Sequence, residues 1–394
     1  MTTTVAHPAL RGRTTTPVAA RRHVVPGVAT SAFWLLAAVV TVLNMIGVVM
    51  VTSASSVISV REGAGPWSYA QRQLAWTLLG LVPLVVALLV SVEFWRRHVK
   101  LWLGLSVGLL LLVFVPGIGI STNGATRWIG FGSVQVQPSE FVKFALLLFV
   151  ADLLAKRWER INDWRWTLFP VMTYLAVVAA LIMMQPNLGT TIIIAAMILV
   201  MLLMSGVKLI PLAITGLIGT TLAVGTVMLT AFRKKRFLAF LDPMSDPDGV
   251  GLQNVQSMVA MANGGLFGRG LGRSTVKWGY LPYSWTDFIF AVIGEEFGMV
   301  GAMTVVVLFV TLAATGAWVA YQAADRFSML VAVGITAWIV VQAFMNIGAV
   351  VGIMPITGVP LPFVSFGGSA LVINLAAMGV LLNIARHPRE VSSQ

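Results

Sequence analysis

Apolar runs close to 20 residues long recur from about residue 33 to residue 385, and they leave this chain few ways to fold. Each is long enough to cross a hydrocarbon layer about 30 Å thick as a helix. Inside hydrocarbon, every backbone N–H and C=O must find its partner within the protein, so the runs predict helices. About ten spans follow, at 33–54, 73–92, 101–116, 139–155, 166–184, 189–205, 208–230, 288–320, 328–350 and 368–385. The fold class read from them is an all-α polytopic membrane protein. The eighth run is too long for one straight crossing, so its first turns are expected to line a cavity. Composition agrees: 10% of residues are charged, against roughly 25% in a soluble domain.

An even number of spans puts both termini on one side. Arg11, Arg13, Arg21 and Arg22 precede the first span, and Arg96, Arg97 and Lys100 follow the second. Lys156, Arg157, Arg160 and Arg165 follow the fourth, and Arg386 and Arg389 the tenth. The positive-inside rule makes that side cytoplasmic. Residues 1–32, rich in Thr, Ala and Arg and without an apolar stretch, read as a disordered cytoplasmic tail, and 389–394 as a second one. The net charge of +12 is then topogenic and lipid-facing, with no nucleic-acid partner implied. The absence of cysteine excludes disulfides and thiolate metal sites, and four scattered histidines speak against zinc.

This topology places the long loop 232–286, between spans seven and eight, outside. It sets Arg233, Lys234, Lys235, Arg236, Arg269, Arg273 and Lys277 against Asp242, Asp246 and Asp248. Anionic headgroups and a phosphate-bearing substrate both fit that excess. Its glycines, from Gly249 to Gly272, permit tight turns and close ligand approach, though neither a Walker A nor a dinucleotide fingerprint is present. Gln253 to Ala262 reads as a short amphipathic helix on which Gln253 and Gln256 are candidate substrate contacts.

Several polar groups lie within or at the mouths of spans, where they are costly. Asp287, in LPYSWTDFIF, sits at the start of span eight and is a candidate for function. Its bland alternative is a carboxylate stabilised by the helix dipole, with Thr286 as cap. Glu295 is about 12 Å deeper and rotated roughly 80° from Asp287, so it is expected to see the same cavity, with Glu296 nearly opposite. Glu140 and Lys143 share a helix face behind Ser139, an expected cap; Lys143 either pairs with Glu140 or holds a phosphate. In GIMPITGVPLPFVSFGGSA, Pro and Gly rule out regular helix. Ser365 and Ser369, with Gly367 and Gly368, offer anion contacts at the start of span ten, or form a purely structural re-entrant loop.

Together these segments resemble the SEDS family of bacterial cell-wall polymerases, which includes FtsW and RodA. The resemblance runs through MVTSASSV, YAQRQLAW, NGATRWIGFGSVQVQPSEFVK and QPNLGT. It continues through the glycine-rich loop, TDFIFAVIGEEFG and GVPLPFVSFGGSALVINLAAMG. SASSV and KWGYLP lean toward FtsW over RodA. The resemblance implies a peptidoglycan glycosyltransferase of the bacterial cytoplasmic membrane, polymerising lipid II at the outer leaflet in division or elongation. Asp287 would be its catalytic base, and Lys143, Arg127, Arg233 and Arg236 pyrophosphate or sugar contacts. A divalent cation, Mg or Mn, and a class B penicillin-binding protein partner are implied as well, alongside other divisome or elongasome proteins. A lipid II flippase and a non-catalytic divisome scaffold are the competing readings. The chain departs from the family at Tyr283 and Trp285, where a glutamate and a histidine are common, and at Asn187, usually an aspartate.

Overall fold

The computed structural model describes residues 27–122, 124–131, 134–247 and 249–389. Residues 1–26, 390–394 and Asp248 lie outside the described residues, and with them nearly all of both expected tails. The expected spans appear as α1 (Ser31–Arg61), α2 (Ser68–Leu89), α4 (Val99–Leu112), α5 (Pro138–Lys156), α6 (Phe169–Met184), α7 (Leu188–Met204), α8 (Leu209–Met228), α11 (Ile289–Tyr321), α12 (Arg326–Val350) and α13 (Gly368–Arg386). A short α3 (Val92–Arg97) joins α2 to α4, and α9 (Ala231–Leu241) and α10 (Leu252–Gly264) lie in the long loop. Helix is the overwhelming class, with one addition. A three-stranded antiparallel sheet, β1 (Gly119–Thr122), β2 (Ala125–Phe131) and β3 (Val134–Val136), connects α4 to α5.

Helices α5, α12 and α13 form the buried centre, where Trp338 of α12 is completely enclosed. Parallel packing of α2 and α13 depends on small residues: Gly379 lies against the Leu84 carbonyl, and Gly80 against Leu375. Asn383 of α13 donates its amide to Leu88 O (2.7 Å) and Val90 O (2.9 Å), closing the exposed end of α2. By contrast α8 is apolar all round and buries none of its residues, the pattern of a helix surrounded by lipid.

The overlong eighth run is broken. Gly298 adopts φ 66°, ψ −163°, a conformation essentially reserved for glycine, and interrupts α11 ten residues into the helix. A break at membrane depth frees backbone groups that hydrocarbon cannot satisfy. The loop after α10 supplies their partners. Arg269 N donates to Glu295 O (3.0 Å) and Gly270 N to Glu296 O (2.9 Å). In return Met299 N donates to Gly265 O (2.8 Å) and Val300 N to Leu266 O (3.2 Å). Gly268 is needed because a Cβ there would strike the Glu296 carbonyl. The glycines that could have let a ligand approach closely are, at these positions, a splice that repairs α11.

Candidate functional site

Asp287 lies in the turn leading into α11. Tyr283 accepts from Thr286 N (3.1 Å) and Phe288 N (3.3 Å), and it holds φ at 61°, a left-handed conformation costly for a bulky residue. Thr286 is not a helix cap: its hydroxyl donates to Tyr283 O, and Phe288 occupies the cap position without a side-chain bond. Asp287 stands one residue before the cap position and does not cap α11, so the expected Thr286 cap is absent.

The re-entrant segment between α12 and α13 fixes this turn from the other side. Asn346 of α12 donates its amide to Asp287 O (2.7 Å) and to Val359 O (2.8 Å). Ser365 Oγ donates to Thr286 O (2.6 Å) while accepting from Leu361 N (2.8 Å), and Phe366 N donates to Trp285 O (3.0 Å). Trp285 in turn packs on Tyr69, whose ring also meets Phe366. A cavity of about 10 Å³, lined by Asp287, Asn346, Thr357, Gly358 and neighbouring apolar residues, adjoins the carboxylate. That is room for about one water.

Arg127 of β2 and Arg236 of α9 act electrostatically on Asp287, Arg236 the more strongly. Burial nevertheless dominates and pushes the Asp287 carboxyl up to about 6, against the pull of both guanidiniums. Arg127 donates to Gln185 O (3.0 Å) and Pro186 O (2.6 Å), which ties the sheet to the α6–α7 connection. Burial lowers the affinity of Arg127 for its proton, and the nearby charges of Arg233 and Arg236 act in the same direction. Burial likewise lowers Arg236, opposed by Asp287 and Tyr283. Three arginines from two distant segments and one carboxylate thus share one electrostatic neighbourhood.

The other predicted contacts lie elsewhere. Glu295 does not see this cavity. It is fully buried, and its oxygens accept from Ser274 Oγ (2.6 Å), Thr275 N (3.0 Å), Thr275 Oγ1 (2.5 Å), Val276 N (3.4 Å) and Arg269 Nη1 (3.3 Å). Glu296 accepts from Ser53 Oγ (2.6 Å) of the SASSV segment and from Ser274 N (3.3 Å). Both carboxylates anchor the long loop to the bundle. Lys143 is enclosed by Glu140 (2.8 Å), Gln342 Oε1 (3.1 Å) and the Trp338 ring (4.8 Å), so a phosphate would have to displace an ion pair. Ser139 does not cap α5, where Gln137 holds the cap position. Ser369 Oγ bridges Gln135 O and Gln137 N (both 3.2 Å), joining α13 to β3 instead of facing an anion. Gln253 and Gln256 are half-buried on α10 and are not among the residues lining the Asp287 cavity. Asn187 caps α7 by accepting from Thr190 N (3.2 Å), a task asparagine performs as well as the family's aspartate. Asn346 was overlooked in the sequence, although an asparagine inside AFMNIGAV is itself a costly intramembrane polar group.

Residues 33–390 match the FtsW/RodA/SpoVE family, described as a cell cycle protein. The chain belongs to this family. It is 39% identical to Stage V sporulation protein E of Bacillus subtilis over 360 residues, 91% of this chain and 98% of that one. It is 38% identical over 361 residues to a probable peptidoglycan glycosyltransferase FtsW of Mycobacterium tuberculosis, covering 91% of this chain and 69% of that protein. Among solved structures, a chain from a peptidoglycan synthase complex superposes with a TM-score of 0.71 at 27% identity, covering 90% of this chain and 96% of that one. Rod shape determining protein RodA of Thermus thermophilus gives 0.65 at 25% identity, covering 90% and 96%.

For this family member, the donor set beside Asp287 is poor for a protein-held divalent cation. Among the described residues no group of three or more His, Cys, Asp or Glu is poised for a metal. Positive charge beside Asp287 comes from Arg236 and Arg127.

Proposed function

We propose that this chain is an inverting peptidoglycan glycosyltransferase that polymerises lipid II into β-1,4-linked glycan. The observation that carries the reading is Asp287: a carboxyl pushed up to about 6, fixed on both flanks by backbone bonds, with guanidiniums beside it. Its family relatives include proteins named peptidoglycan glycosyltransferases. Ionised Asp287 removes the proton from the 4-hydroxyl of the acceptor GlcNAc as that oxygen attacks the anomeric carbon of the donor MurNAc. The glycosidic bond to pyrophosphate breaks, and undecaprenyl pyrophosphate leaves with inversion. That leaving group is a stable anion and needs charge neutralisation more than a proton. Arg127, Arg233 and Arg236 supply the positive charge.

Both termini are read as cytoplasmic and Asp287 as extracytoplasmic, supported by the basic residues at the span ends opposite Asp287. The membrane is read as the bacterial cytoplasmic membrane, and the partner as a class B penicillin-binding protein, which the peptidoglycan-synthase-complex neighbour supports. Similarity to FtsW supports a role in septal wall synthesis. Purified chain with that partner and lipid II is expected to yield glycan polymer on a gel. Lipid II translocation across liposomes without any polymer would overturn the reading in favour of a flippase.

The raised Asp287 carboxyl makes the pH dependence specific. A base works only when deprotonated, so turnover is expected to rise with pH through about 6 and level off above it. The stability contribution runs the other way. A folded-state value above the ordinary 3.8 favours folding while the group is protonated, and that contribution is lost as pH rises through about 6. Arg236→Gln removes the stronger of the two lowering charges and is expected to shift the acid limb to higher pH. A limb that stays in place in the pH–rate profile would count against the Arg236–Asp287 coupling.

A further inference from the structure

A second cavity, of about 580 Å³, lies at the opposite end of α11 from Asp287. Its walls come from α3, the ends of α5 and α11, the start of α12 and the segment after α13. Arg96, Arg326 and Arg389 line it with Asp325, so its lining carries a net charge of +2, three guanidiniums less one carboxylate. The remaining lining is apolar, mainly alanines with Tyr321, Phe327 and Met329.

These charges are held in position before any ligand arrives. The Arg326 guanidinium stacks on the Trp158 ring (4.7 Å), and Arg96 stacks on Phe327 (5.3 Å) while giving its Nε to Asp152 (3.1 Å). Stacking fixes a guanidinium plane and leaves its N–H edge available. Arg389 N donates to Gln322 O (2.8 Å), and Pro388 bridges Ala323, which seats the post-α13 segment over the α11–α12 turn. Asp325 does not neutralise the cavity. It accepts from Phe327 N (2.9 Å), Ser328 N (3.1 Å) and Ser328 Oγ (2.7 Å), so its oxygens are turned into the start of α12. Among the described residues, neither Arg326 nor Arg389 takes part in an ion pair.

We propose that this cavity binds the phosphate group of an anionic amphiphile, with the guanidiniums on the phosphate and the alanine-rich wall against the apolar body. Arginine forks match phosphate oxygens, and the cavity lies at the ends of apolar spans, the part of a membrane protein that meets headgroups. The site is separate from Asp287 and does not depend on the proposed reaction.

The test uses purified full-length chain in neutral detergent, titrated with short-chain phosphatidylglycerol, with phosphatidylcholine of the same chain length, or with inorganic phosphate. Native mass spectrometry reads the stoichiometry. One phosphatidylglycerol per chain is expected to bind saturably, well ahead of both comparators. The double variant Arg326→Gln/Arg389→Gln is expected to weaken it on the order of 30-fold, taking about 1 kcal/mol per arginine near a headgroup. An unchanged thermal midpoint and unchanged glycan polymerisation would show that this variant is folded. Equal binding of the two lipids, or phosphatidylglycerol binding untouched in the variant, would overturn the proposal. Inorganic phosphate binding as tightly as the lipid would overturn the amphiphile assignment and give the site to a soluble phosphate.

Discussion

Asp287→Asn is expected to lower glycan polymerisation by about 10²–10⁴-fold, the range associated with losing a positioned general base. The substitution is nearly isosteric and deletes the proton acceptor while keeping the shape. The backbone bonds from Asn346 to Asp287 O and from Ser365 to Thr286 O do not involve the carboxylate, so the turn keeps its place. Replacing a buried carboxyl by an amide also removes a desolvation cost, so thermal stability above pH 6 is expected to hold or rise. Polymer yield from lipid II, measured at equal protein and with the partner present, decides the matter. Activity within tenfold of the parent would remove Asp287 from the role of base.

Glu295→Ala should have the largest effect on stability. It strands the donors of Ser274, Thr275 and Val276 and the guanidinium of Arg269 around a fully buried position. The Arg269 side chain is 39% exposed and can turn to water, so the cost is that of the stranded buried donors, about 1–3 kcal/mol each. The damage is directional: Glu295 holds the strand of loop that leads, through the 3-10 turn at Val276–Trp278, to the Asp287 turn. Limited proteolysis should therefore open the 265–286 segment first, with loss of turnover following. Protease resistance and a thermal midpoint equal to the parent's would show that the loop has other anchors. Glu295→Gln keeps one acceptor oxygen and should fall between the two.

Asp287 was legible in the sequence because a carboxylate at the mouth of an apolar run has a known cost. The same criterion found Lys143 and Glu295, but it could not separate a group facing a ligand from one neutralised by its own protein. Three-dimensional neighbours made that distinction: Glu140, Gln342 and Trp338 around Lys143, and the 274–276 backbone around Glu295. Asn346 and the three-stranded sheet carried signals that were passed over, a polar residue inside a span and the Asn123-Gly124 pair that marks a tight hairpin.

By itself, the sequence determined that the chain crosses a membrane about ten times, because hydrocarbon forces every apolar run of that length to pair its backbone internally as helix. It also determined that the eighth run could not be one straight helix. Only the tertiary structure decided what the break at Gly298 is for, and what the glycine-rich loop does. Backbone groups freed in α11 and backbone groups offered by residues 265–270 are far apart in sequence and pair only when the chain is folded. The same holds for Arg127 and Arg236, whose action on Asp287 depends on spatial proximity to segments 160 and 51 residues away in the chain, which no local spacing encodes.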